Sequence, residues 1–181
     1  MKVFLDTSVL VPVFLKWHQH HPSSLSLFSI QQRDTSYTSA HCLAELYSTL
    51  TGIPGAGRAS VETMSEILTD ILARLSIVTL DESDYLSAMG DAAQLNVLGG
   101  GIYDALVARC ALKAQVETIY TWNVKHFVRL GADVATRVRT PWKAHSRDIA
   151  VLNCQRPHAA LVVLLAPLGG GRFLDCYGRW P

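Results

Sequence analysis

Charge is scarce in this chain. Charged residues make up 17% of its 181 residues and the formal net charge is +1. No global basic field therefore announces a nucleic-acid partner or an anionic membrane, and any such binding has to be local. Cysteine is sparse as well. Cys42, Cys110, Cys154 and Cys176 show no C-x-x-C spacing, and the first two fall in stretches that read as helix interior. That pattern points to reduced core thiols in a cytosolic protein rather than a disulfide frame. Long hydrophobic runs are missing. The apolar stretch from Ala159 to Leu168 has about ten residues, roughly half of what a membrane-spanning helix needs, and Pro167 interrupts it. Lys2 is followed only by Val3, Phe4 and Leu5 before Asp6, with no small-residue cleavage site after them, so no secretion leader is expected. A dinucleotide-binding glycine fingerprint is also lacking, because Gly99, Gly100 and Gly101 precede a helix but follow no clear strand. They read as a flexible turn.

Hydrophobic residues make up 49% of the chain, enough for one substantial core and too few in number for two ordinary domains. Within that apolar background three acids stand out. Asp6 closes the run Val3-Phe4-Leu5, and Glu45 and Asp104 recur downstream in apolar helical settings. An acid in such a setting carries a desolvation cost of several kcal/mol unless something pairs with it, so three of them suggest one shared positive partner. Three carboxylates without a matching cysteine or histidine cluster suit a hard cation, Mg²⁺ or Mn²⁺, whose usual business is phosphate chemistry.

Short β-branched segments alternate with long amphipathic ones. Lys2 to Leu5 reads as a strand, after which Thr7-Ser8 can cap a helix from Val9 to Lys16, with Pro12 limiting where it begins. Ser23 or Ser24 opens a second helix carrying Leu25, Leu27, Phe28 and Ile30. Thr35 to Thr38 is a short strand, and Ser39 opens a helix with Cys42, Leu43, Leu46 and Leu50 inward and Glu45 at the border of that face. Past the break at Gly52, Pro54, Gly55 and Gly57, a helix from Ser60 to Leu75 is expected. A strand at Ile77 to Leu80, a helix from Asp81 to Asn96, a helix from Tyr103 to Lys113 and a strand at Thr118 to Thr121 follow, and Trp122-Asn123 ends that strand as Asp6 ends the first. This alternation predicts an α/β fold, a parallel central sheet of four to five strands with helices on both faces. Ligands of such sheets bind beyond the carboxyl ends of the strands, where Asp6 and Asn123 fall. From Thr140-Pro141 onward the texture turns irregular. The expected division is a domain over 1–140 and a C-terminal extension over 141–181.

With that order in hand, the chain resembles a PIN domain, most closely the VapC-type toxin ribonucleases of type II toxin–antitoxin pairs. The matching pieces are Val3-Phe4-Leu5-Asp6-Thr7-Ser8, the segment Ser39 to Tyr47 around Glu45, Ile102 to Ala108 around Asp104, and Tyr120-Thr121-Trp122-Asn123-Val124-Lys125-His126-Phe127. Each piece alone is weak, and four in order at family-like spacing are specific. The resemblance implies that Asp6, Glu45 and Asp104 bind metal, and that the fourth catalytic position, often aspartate, is here Asn123. Asparagine offers a neutral carbonyl oxygen, which can coordinate a metal or hold a metal-bound water at lower negative charge. The resemblance further implies a cytoplasmic homodimer, a cognate antitoxin and an RNA substrate, with transfer RNA as the family's example.

Taken singly, each acid reads more readily as a helix cap or surface acid; taken together, they read as one site hydrolysing RNA phosphodiesters. Thr7, Ser8 and Thr121 can orient ligands or waters, and capping or turn roles serve equally well. His41 shares a helix face with Glu45 and can contact it or a substrate phosphate. His18, His20 and His21 fit no closed zinc site and read as a solvated loop near the cleft, and His126 as a helix-end residue. Lys125, Arg129, Arg137 and Arg139 could track an RNA backbone, or form an ordinary solvated face. The alternative reading is a catalytically weak or inactive PIN-like module that binds RNA or a protein, since Asn123 replaces an acid. A phosphatase or nucleotide-binding α/β protein would share the carboxylates.

Overall fold

A computed structural model describes residues 1–141 of the chain. The extension expected from 141 onward, with Cys154 and Cys176, lies outside the described residues from 142 on.

Five parallel strands form one sheet in the order β3-β2-β1-β4-β5. They are β1 Val3–Leu5, β2 Ser36–Ser39, β3 Ser76–Val78, β4 Thr118–Tyr120 and β5 Val138–Arg139. β1 lies in the middle, with Val3 opposite both Ser36 and Thr118. Successive side chains of a strand point to opposite faces, and Val3, Phe4 and Leu5 are all buried, so both faces of the central strand are covered. This is the sheet that the alternating pattern predicts. β5 is an addition, two residues long and too short to show an alternation of its own.

The connecting helices are α1 Thr7–Phe14, α2 His21–Ser29, α3 Ala40–Gly52, α4 Val61–Arg74, α5 Glu82–Gln94, α6 Gly101–Lys113, α7 Val124–Val128 and α8 Ala132–Ala135. Caps follow the polar residues ahead of each apolar stretch. The Ser39 hydroxyl accepts from Cys42 N, Ser60 from Thr63 N, and Asp81 from Asp84 N in a reciprocal capping box. Cys42 and Cys110 are free and buried, and burial pushes their thiols up to about 11 and about 12, so both stay protonated packing residues.

The start of α1 differs from the expectation. Asp6, rather than Thr7 or Ser8, is the cap: its carboxylate accepts from Ser8 N, and the helix begins at Thr7. Pro12 then falls inside the helix instead of limiting its start. It removes one backbone hydrogen bond, but Val9 through Phe14 are all buried, and that apolar burial outweighs the loss.

Candidate active site

The parallel pairing of β1 with β4 brings two strand ends together, and the site grows from that junction. Asp6 N donates to Tyr120 O at 3.1 Å, which leaves the Asp6 side chain beside Thr121. Oδ2 of Asp6 then collects three donors: Ser8 Oγ at 2.7 Å, Thr121 Oγ1 at 2.8 Å and Ser8 N at 3.4 Å. Thr121 Oγ1 also accepts from Asn123 N at 2.9 Å, and Ser8 Oγ accepts from Trp122 N at 3.0 Å. Thr121, Trp122 and Asn123 are thereby tied to Asp6 and Ser8. All three bonds to the Asp6 carboxylate fall on Oδ2, so among the described residues Oδ1 keeps its acceptor capacity.

Glu45 approaches from α3. Thr7 Oγ1 donates to its Oε2 at 2.5 Å, and His41 Nε2 lies 3.3 Å from its Oε1. The His41 ring is stacked on Tyr103, with centroids 5.2 Å apart. Its basicity is raised by the contact with Glu45, against an opposing effect of burial. A cavity of about 340 Å³ is lined by Asp6, Thr7, Ser8, Ala44, Glu45, Ser48, Thr49 and Asn123. Five of the residues expected at a site thus share one cavity. Thr121 donates to Asp6 without lining the cavity, and His41 lies beside Glu45.

Asp104 does not line this cavity. It sits buried in the first turn of α6, with Oδ2 3.2 Å from His126 Nδ1. Burial raises its pKa, His126 and Arg129 lower it, and the charge of Glu45 raises it. Asp6 is pushed up to about 6, first by burial, then against the Ser8 and Thr121 hydrogen bonds, and further by the charges of Glu45 and Asp104. The three acids therefore share one electrostatic environment. His126 is a member that helix-end reasoning misses, because its partner lies 22 residues away in sequence and no local periodicity links the two.

The donor set fits a hard cation in kind: carboxylate and amide oxygens, mutually repelling charges, and an Asp6 Oδ1 without a hydrogen bond among the described residues. It is not a closed cage. Among the described residues, no group of three or more His, Cys, Asp or Glu side chains is close enough to hold an ion as they stand.

Two expectations about flanking residues change. The histidines of the 18–21 loop are half-buried rather than solvated, because their rings and nitrogens are engaged. His18 Nδ1 accepts from His20 N at 3.1 Å, His21 Nδ1 bonds Pro12 O at 2.7 Å, and His20 stacks on Trp122. Among the four cations, Arg137 donates to Val116 O and Asp133 O, and Arg139 to Thr136 O and Val138 O. Both guanidinium groups staple backbone around β5, whereas Lys125 and Arg129 are exposed.

Comparison with known proteins matches this geometry to a family. A model described as the PIN domain covers residues 3–132. Ribonuclease VapC27 of Mycobacterium tuberculosis strain ATCC 25618 / H37Rv is 29% identical over 113 residues, which are 62% of this chain and 79% of that protein. Ribonuclease VapC40 of Mycobacterium tuberculosis strain CDC 1551 / Oshkosh is 33% identical over 109 residues, 60% of this chain and 78% of that protein. Among solved structures, VapBC2 from Rickettsia felis, bound to a DNA fragment from their promoter, superposes with a TM-score of 0.55 at 22% identity, covering 78% of this chain and 99% of that one. At that identity the superposition speaks for the fold alone.

Proposed function

Because the chain belongs to the PIN-domain family, with VapC-type ribonucleases as its relatives, we propose that it is a metal-dependent endoribonuclease, the toxin of a type II toxin–antitoxin pair. The observation that carries this reading is the placement of Asp6, Glu45 and Asn123 on one cavity, with the Asp6 carboxylate oriented by the Ser8 and Thr121 hydroxyls.

Asp6 and Glu45 would hold a divalent ion, Mg²⁺ or Mn²⁺ by the hardness of their oxygens, with Asp104 adding negative charge beside them. Such an ion, when bound, polarises a phosphodiester and lowers the pKa of water. The chain's own residues supply orientation. Ser8 and Thr121 fix one oxygen of Asp6, and Thr7 fixes one oxygen of Glu45 while His41 faces the other. Asn123 offers the cavity a neutral carbonyl oxygen, suited to holding the attacking water. The reaction is hydrolysis: water oxygen bonds to phosphorus, the bond to the leaving ribose oxygen breaks, and that oxygen takes up a proton.

The same reading assigns RNA as substrate, structured RNA such as transfer RNA among the candidates, together with a cognate antitoxin and a homodimeric assembly in the cytoplasm. No helix among the described residues is long and apolar enough to cross a membrane. The nuclease unit is assigned to 1–140 and the remainder to an extension.

Incubation of a mixed cellular RNA pool with Mg²⁺ or Mn²⁺ tests the proposal, using wild-type protein, Asp6→Asn and Asp104→Asn, each with a chelator control. Metal-dependent fragments that disappear in both variants are expected. Cutting that survives both contradicts the carboxylate mechanism, and folded wild-type protein that cuts nothing favours the non-cutting module suggested by Asn123.

A further inference from the structure

Trp122 stands between the Thr121 that holds Asp6 and the Asn123 that lines the cavity. Its backbone N–H reaches Ser8 Oγ, the hydroxyl bonded to Asp6. Its indole is fixed from two sides. Nε1 donates to Ser24 Oγ at 3.1 Å, and the His20 ring lies flat on the indole with centroids 3.8 Å apart and planes 10° apart. The row of rings continues through His18, 5.4 Å from His20, to Trp17, 6.2 Å from His18. All four side chains are half-buried, and the two tryptophans pack against the core. A row of rings thus starts next to Asn123 of the cavity lining and is only partly buried, with His20 flat on Trp122 and the outer rings tilted by about 45°.

This row is electrically neutral at ordinary pH. Burial lowers the basicity of both imidazoles, His18 to about 4 with His20 and His21 adding repulsion. Uncharged imidazole and indole rings offer a phosphate no countercharge, whereas a nucleobase gains from stacking on any of their faces. Packing of the α1–α2 corner alone would account for buried apolar rings. It does not account for a half-buried histidine stacked flat on a tryptophan whose own backbone N–H bonds the Ser8 hydroxyl that holds the Asp6 carboxylate.

We propose that Trp122, with His20 stacked on it, forms a ledge that takes an unpaired nucleobase of RNA beside the cavity. The proposal rests on the ribonuclease reading and deepens it. The preferred substrate is RNA with an unstacked nucleotide next to the bond that is cut, and a base locked in a duplex cannot reach the rings.

The test uses the full chain carrying Asp6→Asn, so that bound RNA stays intact, and fluorescence anisotropy with three probes. These are a labelled single-stranded decamer, the same decamer with one base removed at each position in turn, and a blunt RNA duplex. Removal of the base at one position should weaken binding by roughly fivefold or more, the range of a single base–aromatic stack. Adding His20→Ala should cost a similar factor toward the intact decamer and nothing further toward that abasic one, while duplex affinity stays unchanged. Trp122→Phe, which keeps a ring, should retain most of the discrimination. A flat abasic scan, equal discrimination with and without the His20 ring, or no binding of the decamer by folded protein overturns the proposal. The scan on the parent protein needs no ledge variant, so the proposal stays testable if His20→Ala fails to fold. Cleavage of the decamer by wild-type protein separates the two readings: cutting with a flat scan removes the ledge alone, and coupling without cutting removes the nuclease alone.

Discussion

Thr121 donates its hydroxyl to Asp6 Oδ2 at 2.8 Å across 115 residues of sequence, and both side chains are buried. The bond exists because β1 and β4 are parallel neighbours whose carboxyl ends stop at the same level. Its consequence is electrostatic. Asp6 is satisfied by neutral hydroxyls rather than by a cationic side chain, so its charge stays available to a ligand while its geometry is fixed.

Replacing Thr121 by valine removes that donor and also the acceptor of Asn123 N. Loss of a buried hydrogen bond of this kind costs about 1–3 kcal/mol, and RNA cleavage should fall by about tenfold or more at saturating metal. Thr121→Ser should restore most of it. Cleavage rates on one fixed RNA, measured side by side, check the pair.

The raised pKa of Asp6 sets a direction for stability in chelator. A carboxyl at about 6 in the fold and 3.8 in the unfolded chain favours folding fully below pH 3.8, and that contribution is lost as pH rises through about 6. Asp6→Asn cannot ionise. Its stability relative to wild type should be near zero difference at pH 3.8 and grow to roughly 2–3 kcal/mol in its favour at neutral pH. Urea melts between those limits check the sign. A variant more stable and inactive at pH 7 is expected.

Asn123→Asp places a further negative charge on the cavity shared with Asp6 and Glu45. Mn²⁺ should bind severalfold more tightly, and the chelated protein should lose stability on the order of 1 kcal/mol from added repulsion. Calorimetric titration and thermal melts with and without chelator read the two effects separately.

Gly101 opens α6 under the side chain of Arg129. A Cβ there would stand 2.5 Å from Arg129 Nη2 and 2.7 Å from Val97 Cγ1. Gly101→Ala should destabilise the fold by about 1–3 kcal/mol, the usual range for overpacking, because the β-branched valine yields less readily than the end of the arginine. Combining it with Arg129→Ala should relieve only part of that loss. Denaturation of the two single variants and the double variant measures the remainder.

Much of the site is legible in the sequence because it sits where strands end. Asp6 and Asn123 each follow a short apolar strand, and Glu45 borders the apolar face of a helix with clear periodicity. Thr7 and Ser8 are legible as polar residues beside Asp6, and Thr121 as one beside Asn123. Their partners are not, since Thr7 reaches Glu45 and Thr121 reaches Asp6 only after the sheet forms. The start of α1 misleads because an aspartate at a strand end serves equally as an N-cap, and the cap role shifts the helix two residues earlier. β5, α7 and α8 have 2, 5 and 4 residues, below the length at which period 2 or 3.6 shows. The His20–Trp122 stack is equally invisible, because a histidine-rich polar loop carries no mark of the indole that folds onto it.

The most direct measurement is binding of Mn²⁺, followed by the loss of its free-ion paramagnetic resonance signal, to wild-type protein and to Asp6→Asn, both shown folded by circular dichroism. Saturable binding by wild type and at least a tenfold weaker affinity for Asp6→Asn are expected, since the proposed site would seat the cation on the Asp6 oxygen that Ser8 and Thr121 leave open. Equal binding by the two proteins would contradict it and move the metal, and the chemistry with it, away from this carboxylate.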